Sequence, residues 1–247
     1  MSVFSVFSVF ADLVEHLADL LQPLFGATAA AAAIVLFTAF VRLLVHPLSR
    51  AAARGQKART ALQPRIAELR KKHAKAPEKL QKAVLELHAE EKVSPVSGCL
   101  PGLLQLPAFF LLYHLFSNTT IGGRSNGLLA HQLFAAPLAG RWADALGTGG
   151  AFGAAGLVYL ALFALVAGVA TFNYMRTKRM TATNSPLPVG DVGDGEQRVP
   201  GLGAVSKVMP FMSFFTLFTV AVVPLAAALY VVTSTTWSAV ERAVLYR

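Results

Sequence analysis

"FTAFVRLLVHPLSR", residues 37–50, decides the fold class. It reads as the end of a membrane-spanning helix, yet Arg42 stands inside the apolar run. Against hydrocarbon at mid-depth an arginine costs from about 2.5 to over 10 kcal/mol, depending on how it is measured. At about 1.5 Å per residue, Arg42 lies about 10 Å from the cytoplasmic boundary. Snorkelling covers much of that distance. A leucine avoids the cost entirely, so a wet, functional cavity is the stronger reading of a charge kept at this depth. Thr38 and His46 lie one turn to either side of Arg42, on the same helical face.

Outward from this stretch, composition agrees with a membrane. Hydrophobic residues make up 55% of the 247 and charged residues 14%, against roughly 25% charged in soluble domains. The first span is expected over 28–48, long enough for a hydrocarbon core of about 30 Å. Further spans are expected over 96–117 and 152–173. Residues 208–240 contain no Lys, Arg, Asp or Glu and as one helix would be about 50 Å long, too long for a single crossing. Pro224 breaks that run, giving spans over 208–223 and 224–241. The expected fold is an all-α membrane protein with five transmembrane helices.

Charge sets the orientation. Segment 49–93 holds 12 Lys/Arg against 5 Asp/Glu, and 174–207 holds five more basic residues. Residues 1–27 hold no Lys or Arg, and 118–151 only Arg124 and Arg141. An external N-terminus and a cytoplasmic C-terminus, with a short tail over 242–247, satisfy the positive-inside rule. The net charge of +9 is then topological, and direct nucleic-acid recognition is not needed to explain it.

Outside the spans, residues 1–27 are expected as an interfacial helix on the outer leaflet, with Phe10, Leu13, Val14, Leu17, Leu20 and Leu21 on one face. Segment 49–95 carries two helical stripes, Leu62/Ile66/Leu69 and Leu80/Val84/Leu87, with Pro77 placed to start the second. A basic cytoplasmic helical hairpin is expected there. Residues 118–151 read as an external loop with a short surface helix, and 174–207 as a flexible cytoplasmic linker. No constellation for covalent chemistry, metal or cofactor appears. The six histidines are scattered, Cys99 stands alone, and GxSxG and HExxH are absent, so no enzyme is expected.

Several polar residues accompany Arg42: Gln105 in the second span, Ser213, Thr216 and Thr219 in the fourth, and Tyr230, Thr233, Ser234, Thr235 and Thr236 in the fifth. If some of them converge, they make a groove in the inner half of the membrane. A small channel or carrier, or a structural scaffold subunit, would also use such residues.

The run "FVRLLVHPLSRAAARGQKARTALQPRIAELRKKH", followed by "PEKLQKAVLELHAEEKVSPVSGCLPGLLQLPAFFLLYHLF" and later "KVMPFMSFFTLFTVAVVPLAAALYVVTS", resembles the YidC/Oxa-type membrane protein insertases. The resemblance covers nearly everything after residue 28. It implies a hydrophilic groove open to cytoplasm and lipid and closed outside, with Arg42 at the family's groove arginine. With the polar residues read above, the expected groove set is Arg42, Thr38, His46, Gln105, Thr216, Tyr230, Thr233 and Thr235. The implied work is moving client transmembrane segments from the cytoplasm into the bilayer, with Arg42 attracting acidic client tails. The implied partners are nascent membrane proteins and lipids, with the Sec translocon and the ribosome as further contacts. Three positions depart from the family pattern: Ala226 where Gly is usual, Val231 where Trp follows the tyrosine, and Thr235 where Asn follows. The short N-terminal segment, with the alanine-rich, high-Arg composition, points to a short Gram-positive, actinobacterial form in a bacterial plasma membrane.

Overall fold

A computed structural model describes residues 3–73, 76–91, 110–121, 123–183 and 209–245. Gln105, Cys99, most of the expected second span and residues 184–207 of the expected linker lie outside the described residues.

Small side chains bring the first two helices together. Helix α1 (Val3–Phe25) and helix α2 (Ala29–Lys72) are joined by a three-residue 3-10 turn, Gly26–Thr28. Gly26 has φ +52° there, a conformation that a side chain makes costly. Ala11, Val14 and Ala18 of α1 and Ala30, Ala33 and Ile34 of α2 are buried in one core. Phe10 meets Phe37 edge-on, with ring centroids 6.1 Å apart. The buried stripe of α1 is rotated from the expected one. Phe10, Leu17 and Leu21 turn to the core, while Leu13 and Leu20 are 51% and 74% exposed. The two alanines allow closer approach than leucines would, so the contact face centres on Val14.

Helix α2 does not stop at the span end expected at residue 48 but continues through Pro47 and Pro64 to Lys72 as one helix, joining the first span to the first half of the expected hairpin. Each proline removes one backbone hydrogen bond, but alanines at 51–53, 58 and 61 favour helix around them. Helix α3 (Pro77–Glu90) starts on its proline, where the missing N–H costs nothing. Leu62 and Ile66 of α2 form a small cluster with Leu87 of α3, flanked by Leu69 and Val84. Arg65 pairs with Glu91 at its edge.

The described part of the next helix, α4 (110–117), buries Leu112, Leu115 and Phe116. The following loop contains two antiparallel ladders of two residues a strand, β1 (Thr120–Ile121) with β2 (Arg124–Ser125), and β3 (Gln132–Leu133) with β4 (Ala136–Pro137). Alternation over so short a length carries no sequence signal. Asn126 is 5% exposed and ties the loop to α4, its Nδ2 donating to the Leu115 and Asn118 carbonyls at 2.8 and 2.9 Å. Helix α5 (Trp142–Gly149) ends at Gly150, φ +73°.

Helix α6 (Ala154–Thr183) runs ten residues past the end expected at 173. The Gly- and Pro-rich composition that signals a linker starts only at about residue 184. A 3-10 stretch, Met209–Phe214, leads into α7 (Phe215–Val222), and α8 spans Leu225–Leu245. Together the 3-10 stretch and α7 span about 24 Å, since 3-10 rises about 2.0 Å per residue against 1.5 Å in α-helix. Val223 is extended, with ψ 157°, as the residue before a proline prefers.

The molecule is thus mostly helical. Val9–Leu69 and Ala154–Arg179 are long and apolar enough to cross a membrane, and Phe211–Val222 is a shorter apolar stretch. The core gathers at one end, where Ile34, Leu115, Phe116, Leu128, Leu138 and Leu225 are almost fully buried. Away from it the helices leave large apolar side chains uncovered, among them Phe40, Leu43 and Leu44 of α2 and Phe215 and Phe218 of α7. Such a surface suits lipid rather than water.

Candidate functional site

Arg42 and His46 meet polar side chains of α8 on the seam between α2 and α8. Arg42 is half-buried. Its Nε donates to Ser234 Oγ at 3.1 Å, and Nη2 donates to the same oxygen. One turn further along α2, His46 Nδ1 lies 2.5 Å from Glu241 Oε1. With a carboxylate as partner, that ring nitrogen donates. Both contacts advance with sequence, so α2 and α8 run in the same direction here.

Periodicity explains the assembly. Arg42 and His46 are four apart, and Tyr230, Ser234 and Glu241 are separated by four and seven residues, so each set lies on one helical face. Tyr230 is 3% exposed and packs near Phe116, with ring centroids 6.1 Å apart. Its hydroxyl shares the Ser234 side chain with Arg42. Tyr230, Glu241 and Arg242 are the electrostatic neighbours of the guanidinium.

The other residues expected in the groove are dispersed. Thr38 is fully buried, and its hydroxyl donates to the Ile34 carbonyl at 2.7 Å within α2. Thr216 and Thr235 line a polar cavity of about 300 Å³ between α6, α7 and α8, together with Asn173, Ser213, Ser238 and Arg242. Thr235 also bonds back to the Val231 carbonyl at 2.8 Å. Thr233 lines a different cavity of about 740 Å³ with Thr236 and Trp237, against the apolar Leu157, Leu162 and Leu165 of α6. Gln105 lies outside the described residues. Two residues of the seam escaped the expected set: Ser234, one of five hydroxyl residues within 233–238, and Glu241, the first acid after the apolar run. The spacing of Tyr230, Ser234 and Glu241 was the signal that could have found them.

The core end of the seam is tied off by backbone. Leu225 N–H donates to the Gly140 carbonyl at 2.8 Å and Ala226 N–H to Leu138 at 2.9 Å. Orphan donors of the α8 N-terminus are thereby satisfied by the loop. Tyr159 Oη also donates to the Gly140 carbonyl, at 2.6 Å.

Long apolar helices with large uncovered apolar side chains define a membrane protein, and a half-buried, hydrogen-bonded cation lies on the seam between two of its helices. The model of the 60Kd inner membrane protein family matches residues 20–247, and the chain belongs to that family, the YidC/Oxa type. The membrane protein insertase YidC of Clostridium perfringens is 44% identical over 87 residues, covering 35% of this chain and 37% of that protein. The YidC of Chlorobium limicola is 31% identical over 160 residues, covering 62% of this chain and 25% of that protein. The chain thus matches well under half the length of these relatives. Membership places it in the cell membrane.

Proposed function

We propose that the chain is a membrane protein insertase and chaperone, which moves client transmembrane segments from the cytoplasm into the bilayer. In this reading it crosses the plasma membrane five times, with its N-terminus outside and α3 in the cytoplasm. The α2–α8 seam is the polar groove, open to cytoplasm and lipid, and the loop carrying Leu138 and Gly140 caps it on the outside. The observation that carries the reading is the placement of Arg42, whose guanidinium is held on Ser234 beside a buried tyrosine, within the apolar stretch of α2.

A client with a short acidic external tail must carry that tail through hydrocarbon. A fixed positive charge partway across attracts the tail and lowers the barrier. At contact distance the attraction is about 1 kcal/mol in water-like surroundings and about 4 kcal/mol near a protein surface. That range recruits a tail and still lets it leave. Burial of the client's apolar helix in lipid drives the process, and no nucleotide or covalent step is involved. Clients are nascent membrane proteins. The Sec translocon and the ribosome are the further partners that the family resemblance implies.

Complementation of a YidC-depleted bacterium at matched expression tests the reading. Wild type and Arg42→Lys are expected to restore growth and Arg42→Ala to fail. Equal rescue by all three would remove Arg42 from the mechanism.

A further inference from the structure

The seam already contains an acidic side chain. Glu241 has a side chain 10% exposed, contacts His46 at 2.5 Å, and lies in the field that reaches Arg42. A carboxylate so enclosed needs a cationic or donor partner. His46 supplies one on α2, and Arg42 and Arg242 add positive charge nearby. On the insertase reading, on which this inference rests, a client brings a second carboxylate to the same place.

We propose that Glu241 is a resident counter-anion, which competes with client carboxylates for the cationic side of the α2–α8 cleft and so sets the client charges that the cleft accepts. His46 holds Glu241 one turn along from Arg42, which keeps part of the arginine's field available. A client acid that enters displaces the influence of Glu241 on Arg42, and Glu241 resumes that influence when the client leaves. The resident acid thereby limits how tightly an acidic tail binds. A neutral tail gains nothing from the exchange, and a basic tail is repelled by Arg42 and Arg242.

The test uses the full chain in liposomes and two single-span clients, identical except that the external tail carries two aspartates in one and two asparagines in the other. Protease protection gives the inserted fraction of each, and the readout is the ratio of aspartate to asparagine client. Glu241→Gln is expected to raise the ratio about 3- to 10-fold, the scale of removing one like charge at partial depth. His46→Gln leaves the acid but frees it towards Arg42, and is expected to lower the ratio. Glu241→Asp is expected to stay near the wild-type ratio. A merely structural latch between α2 and α8 would lower insertion of both clients together in both variants and leave the ratio unchanged, which would overturn the proposal. If Glu241→Gln does not fold, the His46→Gln ratio decides: a fall supports the counter-anion, and no change overturns it. Wild type that inserts neither client would defeat the insertase reading and this proposal with it. Insertion of both by wild type, with a ratio indifferent to Glu241→Gln, would defeat this proposal alone.

Discussion

At the scale of the residue, Ser234 orients the cation. Its hydroxyl accepts from two guanidinium nitrogens of Arg42, and hydrogen bonds to charged groups contribute about 1.5–3 kcal/mol. Arg42 is only half-buried, so water replaces part of what is lost. Ser234→Ala is expected to slow insertion of an acidic-tail client in proteoliposomes about 3- to 10-fold without unfolding the chain. Asn126 works differently, because its amide is buried and fixes the loop to α4. Asn126→Ala strips two carbonyls of their donor, and thermal unfolding in detergent is expected to report a loss of about 1–3 kcal/mol. That Arg42 and His46 share the face of α2 turned to α8 was legible in the sequence, since it follows from one helical period. Nothing in the sequence singles out Ser234 among the hydroxyls of α8. Adjacent residues there differ by about 100° around the axis, and the face turned to α2 is set by packing against α4 and α6.

At the scale of the element, α3 is the most weakly held helix described. Its contact with α2 rests on Leu87 against Leu62 and Ile66, with Val84 and Leu69 beside them. Leu87→Ala is expected to cost about 2 kcal/mol, the low end for a buried leucine, because so small a cluster collapses easily. Hydrogen exchange over Pro77–Glu90 is expected to quicken while α6 keeps its protection. Equal change in both would show that α3 is coupled to the rest of the bundle. Helix starts and breaks at Pro77 and Pro224 were legible because proline acts locally. The ends of α2 and α6 were not. A proline inside a long helix backed by tertiary contacts is tolerated, and α6 extends into its basic stretch at Arg176, Lys178 and Arg179. The rotation of α1 was hidden for a related reason: alanines 11 and 18 register as weakly hydrophobic, yet their small size decides which face approaches α2.

At the scale of the whole molecule, the main core buries the start of α8, and the Arg42–Ser234 and His46–Glu241 contacts follow further along the same helix. Backbone bonds from Leu225 and Ala226 and the Tyr159 hydroxyl tie that start to the loop that carries Leu138 and Gly140. Composition read the membrane class correctly, because it is an average over the chain. The tying of the loop to α8 is a meeting of residues some 85 positions apart, for which no local pattern exists.

The most direct test of a charge-guided cleft is reciprocal charge reversal in purified proteoliposomes, with insertion of a single-span client measured by protease protection. Arg42→Glu is expected to lose insertion of a client with an aspartate tail and to recover it for the same client with a lysine tail, whereas wild type shows the opposite preference. Loss of both clients in parallel, or insertion of both regardless of the charge at position 42, would contradict the account.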